Sequence, residues 1–201
     1  SSAMNVSRKL SLAVCLVCLA LPWSGAWAQW DLVNERSSIS FVSIKNGDLG
    51  ELHGFGSLLG FVSAEGDVQV DIDLDSVETK IDIRNQRMRE KLFQTAKFPV
   101  ARVSAEVEPA LIAAAAEGAT VTADIPVTLS LHGLSKTVTV PVVVIGEEGG
   151  RLQVFSARPV LLSAADFDLQ AGVAALVEIA GLKSISDTVP VTLHLVFAPA
   201  E

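Results

Sequence analysis

Apolar and polar residues alternate along most of the chain after Trp30, which is the period expected of strands with one buried face. The clearest stretch is 67–75, where valine, isoleucine and leucine hold the even positions and aspartate or glutamine the odd ones. Similar alternation covers residues 38–41, 101–108, 120–131 and 189–197. Turn residues separate these runs, and together they predict about eight strands.

The second predicted strand, Leu49 to Phe61, contains four glycines. Glycines within a strand mark bends and bulges, so a long strand of this kind fits a coiled sheet that closes into a barrel. Many short strands without the alternation of strand and helix typical of parallel sheets indicate an antiparallel sandwich or barrel. The two-residue period alone does not choose between these two folds.

Two segments depart from the two-residue period and predict helices. One is Ile83 to Phe93, and the other lies within Ala164 to Leu182, where apolar residues recur at helical spacing. The alanine run Ala113 to Ala116 fits either a short helical turn or a hairpin loop, and we favour the loop.

The first 28 residues have the pattern of a secretory signal peptide. Arg8 and Lys9 precede the apolar run Leu10 to Leu21, and Ala26-Trp27-Ala28 supplies small residues for cleavage after Ala28. Both cysteines, Cys15 and Cys18, lie in this segment, so residues 29–201 contain none. We therefore expect a periplasmic protein whose single domain, residues 29–201, is held together by its core.

The charge of that domain limits its partners. Residues 29–201 carry 13 basic and 23 acidic side chains, a formal charge of −10. An acidic surface of this kind disfavours nucleic acid, because phosphate backbones are bound by clusters of lysine and arginine. No nucleic-acid partner is therefore expected.

Four short blocks of sequence are more specific than the strand pattern, and they occur in a fixed order. They are Asp75-Ser76-Val77-Glu78-Thr79, Arg84-Asn85-x-x-Met88-Arg89, Phe93-x-x-x-Lys97-Phe98-Pro99 and Leu131-His132-Gly133-Leu134-Ser135-Lys136. Their combination resembles the YceI-like family of exported lipid-binding proteins, over essentially all of residues 29–197. The family often has aspartate where this chain has Asn85.

The resemblance implies a lipocalin-like, eight-stranded antiparallel barrel with one or two short helices. It also implies an elongated apolar interior that holds a long-chain lipid such as an isoprenoid quinone, and it implies no enzymatic activity. Transient contact with membrane proteins and a monomeric or homodimeric state are compatible with such a carrier. The side chains expected to line the interior are Phe41, Phe55, Phe61, Met88, Leu92, Phe93, Phe98, Val103, Phe155, Phe167, Leu176 and Ile179.

Two other functions remain open at this point. The same cavity could scavenge hydrophobic drugs or stress-related lipophiles. Glu51 and His53, two apart on one strand face, could instead form a metal or acid–base pair in a metal-dependent enzyme. The basic residues between Arg84 and Lys97 could meet an anionic or quinone head group at the barrel mouth, but we favour their pairing with Asp71, Asp73, Asp75 and Glu78 nearby in the sequence.

Overall fold

The computed structural model describes residues 29–201, and the signal peptide predicted over residues 1–28 lies outside the described residues. The described chain forms twelve antiparallel strand segments. They are β1 (Gln29–Leu32), β2 (Ser38–Lys45), β3 (Leu49–Phe55), β4 (Leu58–Ser63), β5 (Asp67–Asp73), β6 (Val77–Glu78), β7 (Val100–Glu106), β8 (Thr120–Leu131), β9 (Leu134–Gly146), β10 (Leu152–Ser156), β11 (Val160–Ser163) and β12 (Thr188–Pro199).

Three α-helices accompany the strands. They are α1 (Asp82–Arg87), which continues into a π-helical turn (Met88–Phe93), α2 (Pro109–Ala116) and α3 (Gln170–Ala180). Short 3-10 turns occur at Asn34–Arg36, Leu74–Ser76, Glu148–Gly150 and Ala164–Phe167. No helix in the described part of the chain is both long enough and apolar enough to cross a membrane.

The twelve segments make eight barrel strands because four of those strands are broken in two. Segments β3 and β4 run along β2 and β1 respectively, so they are two halves of one bent strand. This is the long glycine-rich strand predicted over Leu49 to Phe61, and it turns at Gly56-Ser57. A Cβ on Gly60 would lie 2.6 Å from the Gln69 carbonyl oxygen, so the glycine permits close approach of β5.

Strand β12 closes the barrel. One of its edges pairs with β10 and β11, and the other pairs with β1 and β2. Phe197 lies opposite both Leu32 and Leu152 and is 1% exposed. The predicted eight-stranded antiparallel barrel is therefore confirmed.

The alternation that predicted the strands separates the inside of the barrel from its outside. On β5 and the turn after it, Val70, Ile72 and Leu74 are buried, whereas Asp73 is exposed. Most of the inward side chains form one large apolar cluster, and a second, smaller cluster contains Leu129, Ala164, Phe167 and Leu169.

The helices differ from expectation at one place. The helix predicted over Ile83 to Phe93 and the helix within Ala164 to Leu182 are present, the second as α3. The prediction of a hairpin loop for the alanine run was wrong, because Pro109 begins a helix there. Helix α2 closes one end of the barrel and packs so tightly that a Cβ on Gly146 would overlap the Ala115 carbonyl.

The carboxylate of Glu147 links the turn before β2 to the hairpin between β9 and β10. Glu147 accepts hydrogen bonds from Arg36 at 2.9 and 3.0 Å, from Arg151 at 3.2 Å and from Gln153. The hydrogen bonds from Arg36, with further donation by Arg151 and Gln153, lower the pKa of Glu147 to about 2. We call these four residues the Glu147 cluster.

We expect this carboxylate to contribute to stability above its ordinary pKa near 4.5 and to lose that contribution as the pH falls towards 2. The melting temperature of the wild type should therefore exceed that of Glu147→Gln at neutral pH, and the difference should vanish between pH 4.5 and 2. Thermal unfolding followed by circular dichroism across this range checks the expectation. Glu148→Gln is the matched control, and an equal effect of that variant would contradict it.

Candidate functional site

Three cavities follow one another along the axis of the barrel. The floor cavity, beside α2, has a volume of about 110 Å³, and the central cavity has a volume of about 190 Å³. The mouth cavity, of about 320 Å³, lies between α1, α3 and the ends of β2 and β3. Val103 and Leu193 line both the floor and the central cavities. Phe41, Leu92, Val173 and Val189 line both the central and the mouth cavities, so the three form one channel.

The deep part of the channel is a hydrocarbon environment. Among the described residues, the floor cavity is lined by hydrocarbon side chains alone, and the central cavity adds a single hydroxyl, that of Ser163. Phe55 lies 5.5 Å from Phe41 and 6.1 Å from Phe93, measured between ring centroids, and these rings form an aromatic wall. An interior of this kind suits a thin apolar ligand, because it offers extensive apolar contact and few hydrogen bonds.

Eight of the twelve side chains predicted to line the interior lie in the channel. Those in the central cavity are Phe41, Phe55, Leu92, Phe93, Val103 and Phe167. Those that line the mouth cavity without reaching the central one are Met88 and Leu176.

Phe61 and Phe155 lie on the outer surface of the barrel, which corrects the prediction that they line the channel. Each is next to a valine, Val62 or Val154, that points inward and lines the floor cavity. Adjacent strand residues point to opposite faces, so the phenylalanines must point outward. Phe155 stacks on His194 with a centroid separation of 4.2 Å.

Phe98 and Ile179 also lie outside the channel, contrary to prediction. Phe98 packs at the rim against His132, at 4.6 Å, and against the backbone of Gly133. Ile179 is 42% exposed near the end of α3, since the face of the helix that meets the channel carries Val173, Leu176 and Ala180 instead.

The π-helical turn explains how neighbouring residues all face the channel. In a π-helix each backbone N–H bonds to the carbonyl five residues earlier, rather than four. Met88 and Phe93, five residues apart, therefore lie on the same buried face. Leu92 lies between them and reaches both the mouth and the central cavities. The turn ends at Gln94 in a left-handed conformation, with φ of 53°.

Helix α3 covers the same end of the barrel and packs closely on this turn. A Cβ on Gly172 would lie 2.7 Å from the Lys91 carbonyl oxygen and 2.9 Å from the Leu92 Cα. Both atoms belong to the backbone, so the glycine sets the distance between α3 and the π-helical turn. That distance in turn positions Leu92 in the channel.

The inner face of β3 changes from charged to apolar as it enters the barrel. Glu51, His53 and Phe55 face inward in succession, while Leu52 between them is 68% exposed. Lys45 and Arg84 form salt bridges with the two carboxylate oxygens of Glu51. The hydrogen bond from Lys45 and the charge of Arg84 lower the pKa of Glu51. We call Lys45, Glu51 and Arg84 the ion cluster.

His53 follows Glu51 on the inner face of β3, one position further into the barrel, and is only 5% exposed. Burial, followed by the positive charge of Arg84, lowers the pKa of His53, so the neutral imidazole is favoured. Glu51 and His53 share a face, but the Glu51 carboxylate is already bound by two cations. No group of three or more metal-ligating side chains occurs within residues 29–201.

Within residues 29–201, the basic residues between Arg84 and Lys97 form none of the predicted salt bridges with the acidic residues between Asp71 and Glu78. Arg84 donates to Glu51 and to the Thr79 carbonyl, not to the aspartates of β5. Asp71 instead binds Arg102 of the adjacent strand, at 2.7 and 2.9 Å. The reason is strand geometry, since Asp71 and Arg102 are direct cross-strand neighbours on the outer face.

Comparison with known proteins now identifies the fold family. The family model described as the YceI-like domain matches residues 30–197. The chain belongs to the YceI-like family. No curated protein sequence matches the chain.

Several solved structures resemble this YceI-like chain. A polyisoprenoid-binding domain from Saccharophagus degradans, implicated in plant cell wall breakdown, is 38% identical, with a TM-score of 0.82 over 87% of this chain and 99% of that one. BcnA from Burkholderia cenocepacia is 21% identical, with a TM-score of 0.64 over 82% and 98% of the two chains. A YceI protein from Campylobacter jejuni is 14% identical, with a TM-score of 0.51 over 74% and 84%. The last two support the fold alone.

The YceI-like motif residues before the π-helical turn hold α1 on the barrel. The Asn85 side-chain oxygen accepts hydrogen bonds from the Thr79 backbone N–H at 2.7 Å and from its hydroxyl at 2.6 Å. Both partners are donors, so the asparagine does here what a carboxylate could do at the same position. All of these groups are buried, which makes the contact a fixed attachment point for the helix that borders the mouth.

The last YceI-like motif forms a second attachment at the rim. His132 adopts φ of 54°, and its Nδ1 donates to the Phe167 carbonyl at 2.9 Å. Its Nε2 lies 3.1 Å from the side-chain oxygen of Gln94, the residue that ends the π-helical turn. The turn between β8 and β9 is thereby tied to both segments that cover the mouth.

Two functional features were missed at the sequence level. The floor of the channel is built by Leu111 and Ile112 of α2, the helix whose alanine run, Ala113 to Ala116, was interpreted as a loop. Proline at the first helical position, with Gly118 after the last, was the available signal. The burial of His53 was not predicted, and it follows from its sharing a strand face with Phe55.

We expect Gly172→Ala to destabilise the protein, although glycine to alanine inside a helix usually stabilises by about 1 kcal/mol. The added methyl group would collide with the backbone of the π-helical turn, and overpacking of this kind costs about 1–3 kcal/mol. Chemical denaturation measures the change. Gly50→Ala is the control, since its Cβ would meet only Val42 at 3.7 Å. A more stable Gly172→Ala variant would contradict the expected close packing.

Proposed function

We propose that this YceI-like protein is a periplasmic carrier that holds one long-chain isoprenoid lipid in its channel, with the tail towards α2 and the head at the mouth. The observation that carries the proposal is the continuity of the three cavities, whose deep part is lined by hydrocarbon. The 38% identical relative is a polyisoprenoid-binding domain, which supports the same class of ligand. The signal-peptide pattern of residues 1–28 supports export.

The energetics of the channel favour a long chain. Each buried methylene-sized group contributes about 0.8 kcal/mol, so ten such groups contribute about 8 kcal/mol. Association costs about 4–15 kcal/mol, which a short chain does not repay. A lipid with several isoprene units, such as an isoprenoid quinone or a related amphiphile, therefore fits better than a small molecule.

The shape of the channel bears on the alternative of a drug scavenger. The floor and central cavities, of about 110 and 190 Å³, adjoin each other at Val103 and Leu193, which line both. A narrow sequence of small spaces accommodates a flexible chain more readily than a bulky ring system. The carrier of a linear lipid is therefore the better-supported function.

Native mass spectrometry of protein purified from the periplasm of the producing cell tests the proposal. We expect one bound lipid per chain, which organic extraction should release as an isoprenoid. Protein that emerges without ligand and also fails to bind added isoprenoid quinone would contradict the proposal. Displacement of a fluorescent lipophile by many unrelated drugs, without dependence on isoprenoid chain length, would instead favour the scavenger.

A second expectation concerns the junction between the floor and central cavities. Leu193→Trp should obstruct the junction, because the larger indole fills the position that lines both cavities. Excluding three methylene-sized groups from the floor would lower affinity for a long isoprenoid by roughly 50-fold. Affinity for a short isoprenoid should change little. Thr192→Trp, on the exposed face of the same strand, is the control, and equal losses in both variants would contradict the proposed path of the tail.

A further inference from the structure

The entrance of the mouth cavity is bordered by apolar side chains that also face solvent. Ile81 and Ile83 line the cavity and are 48% and 51% exposed. Ala180 at the end of α3 and Leu182 just after it line the same cavity, and Ala180 is exposed as well. We call Ile81, Ile83, Ala180 and Leu182 the entrance rim. Side chains that line a cavity and also face solvent lie where a ligand enters or leaves it.

Positive charge is concentrated beside the entrance rim. Residues 80–97, which contain α1 and the π-helical turn, carry six basic and two acidic side chains, whereas the rest of residues 29–201 carries seven basic and 21 acidic ones. Arg84 is paired with Glu51. The other five basic residues of this segment form no salt bridge within residues 29–201, and they are Lys80, Arg87, Arg89, Lys91 and Lys97. An acidic protein thus carries a local positive charge next to the opening of its channel.

We propose that the entrance rim and the basic segment 80–97 together form a surface that docks on an anionic phospholipid bilayer, with the mouth of the channel towards the membrane. Lysine and arginine are attracted to anionic head groups, and exposed isoleucines beside them enter the boundary between head groups and acyl chains. The inference rests on the proposed function for its purpose, since a lipid carrier must exchange its cargo with a membrane. Docking itself requires no isoprenoid.

The order of residues along this segment suits a bilayer surface. Exposed Lys80 stands beside exposed Ile81, and Ile83 stands beside Arg84, so cations and large apolar side chains are neighbours. A bilayer offers anionic phosphates with hydrocarbon directly beneath them. The long stems of lysine and arginine let their charged ends stay at the level of the phosphates while apolar neighbours go deeper.

Other occupants of this surface fit less well. In a symmetric dimer the same patch of both copies meets, so the positive charge of residues 80–97 would face itself and repel. An acidic protein would neutralise the cations but would place carboxylates against the exposed Ile81 and Ile83. An anionic bilayer satisfies both the charges and the isoleucines.

Flotation with phospholipid vesicles tests the docking surface, using protein purified from the periplasm. The vesicles contain phosphatidylcholine alone or in an equal mixture with phosphatidylglycerol, and neither contains an isoprenoid. We expect binding to the mixed vesicles only, and we expect it to weaken as salt screens the charges. Arg87→Gln and Arg89→Gln should each weaken binding roughly fivefold. Arg158→Gln, in the loop between β10 and β11, removes the same charge elsewhere and is the matched control.

A fluorescent label tests the orientation of the docked protein. Residues 29–201 contain no cysteine, so Ile83→Cys provides a single attachment point for a dye whose emission depends on polarity. Its emission should shift to shorter wavelength when mixed vesicles are added. Leu59→Cys is the control, since Leu59 is 72% exposed on β4, away from the mouth cavity. The dye at that position should show no shift.

Several outcomes would overturn the docking surface while leaving the lipid carrier in place. They are the absence of binding to mixed vesicles, an equal loss in Arg158→Gln and Arg87→Gln, and an equal emission shift at positions 59 and 83. Protein that ignores vesicles but binds soluble polyglutamate would point to an acidic protein instead. A dimer in sedimentation velocity that Ile83→Ser dissociates would point to a second copy. If vesicle binding follows expectation but no isoprenoid is ever bound, the docking surface stands and the proposed function fails.

Discussion

The structure depends on strand β12 being hydrogen-bonded along both of its edges. On one edge it meets β10 and β11, and on the other β1 and β2, so the sheet has no open side at this seam. Closure forces the apolar side of every strand to face one enclosed interior. It also bends the strands, which explains the broken segments and the glycines at points of close approach. The channel is the space that remains once this sheet has closed.

The interior of the barrel is underpacked for a protein core. A cavity of about 190 Å³ represents about 4–5 kcal/mol of stability that better packing would have supplied. The chain compensates at its ends, where the tight contact of α2 with Gly146, the Asn85 attachment and the Glu147 cluster join elements firmly. Rigid ends around a loosely filled middle suit a protein that must keep its shape whether or not a ligand occupies the channel.

Much of the fold and of the channel could be predicted from the sequence, and each wrong prediction has a physical cause. The alternation over 67–75 and the glycines of the second strand predicted the barrel, because strand parity and bending are local properties. The floor helix was missed, since a run of small apolar residues has no visible period. Phe61 and Phe155 were assigned to the channel by residue type, whereas their parity relative to Val62 and Val154 places them outside. The pairing of Arg84 with Glu51 joins residues far apart in the chain, so no local pattern could have predicted it.

The uniform lining of the deep channel has a consequence for the rate at which a ligand leaves. A tail in the floor and central cavities meets almost no polar group on which it could pause during withdrawal. Each methylene-sized group must then return to water in turn, which slows dissociation by roughly fourfold per group. Residence time would rise geometrically with chain length, while a short analogue would exchange quickly. If the proposed function holds, the length of the bound chain sets its residence time, and an acceptor that shelters the emerging tail would speed the release of a long lipid.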